Sequence, residues 1–331
     1  MRVLITGSAG FAGSHLVEHL LSQGHEVVAW AREGEDLQNL DRVHSRIRVV
    51  TGDLRDGGRV LEVLRDARPG RIYHLAALSS PADSLRHPRL VYDVNFTGTL
   101  NLLIAWHETG IDSRMLLVSS SQVYGTVDEA NMPLTEGAPL RPATPYAGSK
   151  TAAEFAALQF FLSDGLPIVR VRPFNHTGPR QPSSLVCSDF ARQVAEIGLG
   201  LRPPALTTGN LKVRRDFSDV RDVVRGYSLL LERGRPGEVY HLGSGRAVSI
   251  ESILESLIGL AAKPIEVRTD PARVRPGEAP AVWGDVSKAQ ALGWHPEYEL
   301  AATLRDLKRY WEERIKRDVR PSLTVASSVA P

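Results

Sequence analysis

Apolar residues along the chain gather into short β-rich runs separated by stretches of helical periodicity. The first run, Arg2-Val3-Leu4-Ile5-Thr6, ends in glycines, and residues 11–23 then place apolar side chains at helical spacing. Strand, turn and helix are predicted in that order. Glu26-Val27-Val28-Ala29-Trp30 is the next strand, followed by 47–50, 71–75 and 115–119, with helical patterns such as 95–108 between them. Strands alternating with helices imply parallel strands joined by crossover helices, an α/β fold with a doubly wound parallel sheet. Beyond Pro173 proline, glycine and arginine become denser, and short segments such as 238–242 stand among irregular stretches. This predicts a smaller C-terminal lobe interleaved with elements that return to the sheet. The expected division is 1–172 with returning elements at about 216–243 for the sheet domain, and 173–215 with 244–320 for the second lobe. Residues 321–331 are small and polar enough to be expected as a disordered tail.

Composition narrows the class. Of 331 residues, 42% are hydrophobic and 24% charged, which disfavours wholesale disorder, a collagen-like chain or a coiled coil. Forty basic against 38 acidic residues leave +2, too balanced for a nucleic-acid partner but compatible with a local cationic groove for phosphates. The single cysteine, Cys187, excludes an internal disulfide or a Cys-rich zinc site and makes a reducing compartment, the cytoplasm, the expected location. No apolar run has membrane-helix length, and the opening run is too short for a signal peptide, so no membrane partner is expected.

Thr6-Gly7-Ser8-Ala9-Gly10-Phe11-Ala12-Gly13 sets glycines three apart between the first strand and the first helix. Gly7 permits a tight turn, Gly10 lets backbone approach a pyrophosphate, and Gly13 lets helix and strand pack closely, with Phe11 and Ala12 opening the helix. A dinucleotide in a Rossmann-type domain is the predicted ligand; a merely glycine-rich turn is the alternative. At the end of the second strand, where an acid would select NAD, stands Arg32. Its planar fork of donors suits a 2′-phosphate, so NADP(H) is expected. Glu33, Glu35 and Asp36 lie close enough for one to occupy the ribose site instead. His15-Leu16-Val17-Glu18-His19 matches the H-x-x-E-H pattern of some zinc peptidases, but its place after the glycine turn and the lack of a third ligand argue for no metal.

Tyr146-Ala147-Gly148-Ser149-Lys150 follows Pro145 at the start of a helical pattern, so Tyr146 and Lys150 share one face. An ordinary phenol titrates near pKa ~10, and a neighbouring cation favours the phenolate. Ser119-Ser120-Ser121-Gln122-Val123-Tyr124-Gly125 ends a strand at the edge of the sheet where ligands of such folds bind. With the glycine turn, these motifs resemble the extended short-chain dehydrogenase/reductase family, and the likeness runs to about Ile315. Gly52-Asp53-Leu54, His74-Leu75-Ala76-Ala77 and Asn95 are further matches. The resemblance implies that Ser120 polarises a substrate carbonyl, with Ser121 its nearest rival. It makes Tyr146 the acid/base, and has Lys150 hold the nicotinamide ribose and lower the phenol's pKa. It also implies Asp53 and Leu54 at the adenine, Leu75, Ala76, Ala77, Pro173 and His176 along the cofactor, and Ser79 at the substrate.

Sugar 4,6-dehydratases of that family carry a Glu two residues after the catalytic Ser or Thr; here Gln122 has no charge to accept a proton, which disfavours the elimination. The C-terminal half, with Pro173-Phe174-Asn175-His176-Thr177-Gly178-Pro179, Ser188-Asp189-Phe190 and Arg215-Asp216-Phe217, is similar to the GDP-4-keto-6-deoxy-D-mannose reductases. That likeness implies NADPH-dependent reduction of a GDP-linked ketosugar. Asn175 and Ser188 would lie on the substrate side, Arg215 and Arg275 at the diphosphate, Arg246 at the nucleotide and Glu278 at ribose or base. An ion pair of Arg215 with Asp216 or Asp219, and plain solvent exposure of Arg246, are the alternatives. Arg180 departs from the usual glycine. A 4-epimerase with tightly bound NAD, a GDP-mannose 4,6-dehydratase and a non-catalytic NADP-binding regulator are the rival functions. Family likeness further implies a homodimer built on helices near 95–108 and 146–162.

Overall fold

The computed structural model describes residues 1–273 and 279–326. From the N-terminus run β1 (Arg2–Thr6), α1 (Phe11–Ser22), β2 (Glu26–Ala31), β3 (Arg48–Thr51), α2 (Gly57–Ala67), β4 (Arg71–His74), the short helices α3 (Pro81–Arg86) and α4 (Pro88–Tyr92), α5 (Gly98–Thr109), β5 (Arg114–Val118), α6 (Pro145–Asp164) and β6 (Ile168–Pro173). Past Pro173 come β7 (Asn175–Thr177), α7 (Val186–Gly198), β8 (Ala205–Thr208), β9 (Arg214–Arg215), β10 (Phe217–Asp219), α8 (Val220–Arg233), β11 (Val239–Leu242), β12 (Val248–Ser249), α9 (Ile250–Ile258), β13 (Glu266–Thr269), β14 (Ala281–Val282), α10 (Ser287–Gln290) and α11 (Leu300–Ala326).

Among the described residues seven strands form one sheet, in the order β11-β6-β5-β4-β1-β2-β3. All its pairs are parallel, with Thr6 opposite Trp30 on one side and His74 on the other. The expected doubly wound sheet is what forms. The chain winds outward from β1 to β3 and then returns to β4 on the other side of β1, so a crevice opens at the carboxyl ends of β1 and β4. Strand periodicity sends Val3 and Ile5 to one face and Leu4 to the other. The first face packs with Leu16, Leu20, Tyr227 and Leu230, the second with Ile72, Leu102, Trp106 and Met115. Burial on both sides is why the inner strands read as continuous apolar runs.

A third core joins Phe190 and Val194 of α7, Leu254 of α9, and Leu307 and Trp311 of α11. The small sheets β10-β7, β12-β9-β14 and β13-β8 border it. Two segments differ from expectation. The helix expected over 95–108 begins instead with a π-helical turn, Asp93–Thr97, before α5. The last helix runs past Pro321 to Ala326, into the segment expected as a tail. No helix among the described residues is long and apolar enough to cross a membrane.

Candidate active site

The glycine-rich turn is built for close backbone approach. Gly7 has φ +70°, and a Cβ there would stand 2.8 Å from the Ala76 amide; a Cβ on Gly13 would lie 2.0 Å from the Gly7 carbonyl oxygen. Gly10 is different. A Cβ on it would meet only the Gly7 carbonyl oxygen at 3.2 Å, so its outer face is open. Gly10 caps α1 with no side-chain hydrogen bond, and the first turn carries no acid. The free amides and positive end of α1 therefore face the crevice unblocked, a fit for a pyrophosphate.

At the carboxyl end of β2, Arg32 is exposed. Glu35 Oε2 accepts the Arg32 backbone amide at 2.8 Å, and Asp36 Oδ1 accepts that of Gln38 at 2.9 Å. Both acids are thus bonded to backbone. Asp53 is gripped by Arg55, whose Nε lies 3.0 Å from each carboxylate oxygen and holds the carboxyl below its ordinary range. Leu54 is buried against Gly98. After β4, the amides of Leu75 and Ala76 bond Thr6 at 3.2 Å, Ala77 is half-buried, and Ser79 is exposed.

Ser120 and Tyr146 stand within hydrogen-bond reach of each other, Lys150 lies one turn along α6 from Tyr146, and all three are buried. Thr144 caps α6 by accepting the Ala147 amide at 3.1 Å, with Pro145 in the first turn where its missing N–H costs nothing. This fixes where Tyr146 and Lys150 project. Ser120 Oγ accepts the Gln122 amide at 3.2 Å, while Ser121 opens the following turn. The expected depression of the phenol by Lys150 does not govern it. Burial pushes Tyr146 above its ordinary value, and the Ser120 hydroxyl is the group that pulls it down. Burial brings the Lys150 ammonium down to about 8, with Glu154 acting upward.

Sequence patterns missed the shell behind this group. Glu154, buried one turn beyond Lys150, accepts Arg172 Nε at 3.1 and 3.0 Å and Arg170 Nη1 at 3.4 Å. Its signal was available: positions 146, 150 and 154 lie on one helical face. Asn95 joins three elements, accepting the Leu78 amide at 2.8 Å and donating to Ser149 Oγ at 3.0 Å. Thr99 donates to the Asn95 carbonyl at 2.6 Å, so it accepts from His74 Nε2 at 2.8 Å, and His74 Nδ1 accepts from Thr6 at 2.7 Å. Every hydrogen in that chain has a direction. Burial keeps the imidazole neutral, at about 3.

On the other lip, Pro173 ends β6 and His176 stacks on Phe11 with ring centroids 5.7 Å apart, joining β7 to the glycine turn beside Ala12. Asn175 is exposed on β7. Ser188 is fully buried, donating to the Gln181 carbonyl at 2.6 Å and accepting from Trp311 Nε1 at 2.9 Å. It braces α7 against α11. Arg215 is half-buried and donates to the Ala279 carbonyl at 2.9 Å, while Asp216 accepts from Ser244 and Gly245, and Asp219 pairs with Arg221. Arg246 is exposed, 3.8 Å from Glu299. Arg275 and Glu278 lie outside the described residues. His15 and Glu18 of the zinc-like pattern are bonded to Arg180 instead.

The family model described as GDP-mannose 4,6 dehydratase matches residues 4–307. The chain is 36% identical to a GDP-6-deoxy-D-mannose reductase of Pseudomonas aeruginosa, over 96% of this chain and 99% of that one. Among solved structures, that of RMD from Pseudomonas aeruginosa complexed with NADPH superposes with a TM-score of 0.81 at 32% identity, covering 95% of this chain and 99% of that one. The UDP-glucose 4-epimerase of Thermus thermophilus in complex with NAD gives a TM-score of 0.84 at 32% identity, covering 94% and 99%. With its parallel sheet, its glycine turn and its Tyr-x-x-x-Lys helix, the chain belongs to the GDP-mannose 4,6-dehydratase family, in the nucleotide-sugar branch of the extended short-chain dehydrogenases/reductases.

Proposed function

We propose that this chain reduces the C4 ketone of a GDP-linked 4-keto-6-deoxy-hexose with NADPH, giving GDP-D-rhamnose or a close epimer. The observation that carries the reading is at Arg32. Of the neighbouring acids, Glu35 and Asp36 are bonded to backbone amides and Glu33 is exposed beside Arg32, whose own exposed guanidinium is the group suited to a 2′-phosphate. A cofactor selected in that way is one that is consumed and exchanged, as net reduction requires. The likeness to the Pseudomonas aeruginosa reductase agrees with it.

Gly7, Gly10 and Gly13 with the amides of Phe11 and Ala12 would hold the pyrophosphate, Arg32 and Asp53 the adenosine end, and Lys150 the nicotinamide ribose. When bound, the dinucleotide supplies a hydride to the ketone carbon. Tyr146 gives its phenolic proton to the oxygen as negative charge develops there, and Ser120 donates a hydrogen bond to the same oxygen. Ketone, hydride and proton together make the alcohol. A buried phenol raised above its ordinary value keeps its proton until that charge appears. The family's name does not settle the chemistry, because Gln122 stands beside Ser120 where an elimination needs a carboxylate.

Asn175, Arg215 and Arg246 would meet the GDP-sugar; Arg275 and Glu278 complete the expected set. The sheet domain is 1–172 with 216–243, and the substrate lobe 173–215 with 244–320. The partner protein is a second copy of the chain, docked through α5 and α6, and the enzyme works in the cytoplasm. Purified protein with NADPH and a panel of GDP-, UDP- and dTDP-linked 4-keto-6-deoxy sugars tests the reading. Oxidation of NADPH with the GDP-linked ketone is expected. Turnover that leaves NADPH unconsumed would assign an epimerase or dehydratase, and NADPH binding without turnover on any sugar a regulator.

A further inference from the structure

We infer that Arg180 is a positioning residue for the adenosine end of the cofactor site, anchoring the loop that carries Arg32; the inference rests on the NADPH reading above. Arg180 has φ +74°, one of two non-glycine residues with positive φ among those described. Glycine adopts that backbone freely, whereas an arginine there is strained. The side chain supplies the reason for it. Nη2 bonds Glu18 Oε2 at 2.7 Å and His15 Nδ1 at 2.9 Å, while Nη1 bonds Glu18 Oε1 at 2.9 Å and the Asn39 carbonyl at 3.2 Å. A guanidinium holds both carboxylate oxygens at once because its donors lie in a fixed fork.

His15 accepts at Nδ1, so its proton is on Nε2, which donates to the Pro179 carbonyl at 2.9 Å, next to Arg180 in the chain. Only a neutral imidazole can do this, and burial holds it so. Asn39 completes the linkage: its Nδ2 donates to the Ala9 carbonyl at 2.9 Å, inside the glycine-rich turn. One guanidinium thereby ties α1, the segment 32–39 and the loop after β7. The segment that presents Arg32 is fixed at its near end by Glu35 on the Arg32 amide and at its far end by Asn39. Loss of the guanidinium removes its hold on the Asn39 carbonyl, leaves that end to Asn39 Nδ2 on Ala9 and to buried Leu40, and so loosens the loop on which Arg32 stands. The glycine turn keeps its own constraints at Gly7 and Gly13.

The two cofactors should respond differently. NADPH uses the Arg32 guanidinium on its 2′-phosphate and NADH does not. Arg180→Gly, which suits the backbone, and Glu18→Gln, which leaves the backbone alone, are compared with wild type. The readouts are titration calorimetry with NADPH and with NADH, and circular dichroism for the fold. The dissociation constant for NADPH is expected to rise about tenfold in Arg180→Gly and in the same direction in Glu18→Gln, that for NADH less than about twofold. Folded variants that bind NADPH like wild type, or that lose both cofactors equally, would overturn the inference, since a merely structural role weakens both alike. A wild type that binds NADH more tightly than NADPH would instead remove the NADPH reading, and this inference with it.

Discussion

The same loss of water acts in opposite directions on Tyr146 and Lys150. It raises the phenol and brings the ammonium down to about 8. Near neutrality both keep their protons, which suits a site that donates to an alkoxide. Tyr146→Phe should lower turnover by about 10²- to 10⁴-fold while NADPH still binds, measured by steady-state rates beside cofactor titration. Undiminished turnover would remove Tyr146 from the mechanism. The rate of reduction should also fall on the alkaline side as Lys150 deprotonates through about pH 8. Glu154 acts upward on that value, so Glu154→Gln should move the alkaline limb to lower pH; a limb that stays put or moves up contradicts the role given to Glu154. The linkage to stability runs the other way. Lys150 titrates lower folded than unfolded, so the unfolded chain binds more protons between about pH 8 and its ordinary value, and stability rises with pH across that window. Lys150→Met should therefore raise the free energy of unfolding by about 1–2 kcal/mol, read from the denaturation midpoint, while abolishing useful turnover.

Among the elements, α6 carries Tyr146 and Lys150, and its start is set locally. Thr144→Ala removes the acceptor for the Ala147 amide and should cost about 1 kcal/mol, read from the urea midpoint. A full loss of folding, or no change, would show that the cap is not what holds this end. This end of α6 was legible because cap, proline and the Tyr146/Lys150 spacing are neighbours in the chain. The first five strands were legible for the same reason, each resting on a short contiguous apolar run, whereas β6, interrupted by Arg170 and Arg172, was not. What escaped was set by partners far away in sequence. The turn Asp93–Thr97 has ordinary helical spacing, and only the bonds of Asn95 to Leu78 and Ser149 mark its site as special. Ser188 sits in a family-like motif, yet Trp311 takes its hydroxyl into a core. Arg180 reads as an isolated oddity until Glu18 is placed against it. Local pattern thus pointed to the glycine turn and to Ser120, Tyr146 and Lys150, while long-range pairing decides which polar side chains are held in the fold and which are left at the crevice.

For the whole molecule, α6 has two faces with different work. Tyr146, Lys150, Glu154 and Ala157 are buried inward, whereas Phe155 and Leu162, two turns apart on the outward side, are 55% and 71% exposed. Ile104 on the neighbouring α5 is 40% exposed. Large apolar side chains spaced along two adjacent helices make a surface whose burial contributes about 1.5–3 kcal/mol for each side chain fully covered. In the dimer proposed above, a second copy of the chain would meet this face with the same face and cover both sets at once. The charged side chains placed at Phe155→Asp and Leu162→Asp would lie in that contact with no partner, so the double variant should sediment as a single chain where wild type sediments as two. Because the substituted residues stand on the helix that carries Tyr146 and Lys150, the variant should also lose thermal stability in step with dissociation, and the wild-type melting temperature should rise with protein concentration. A wild type of one-chain mass, with a melting temperature independent of concentration, would show that this face is open to water and that α6 is held in place by its inward contacts alone.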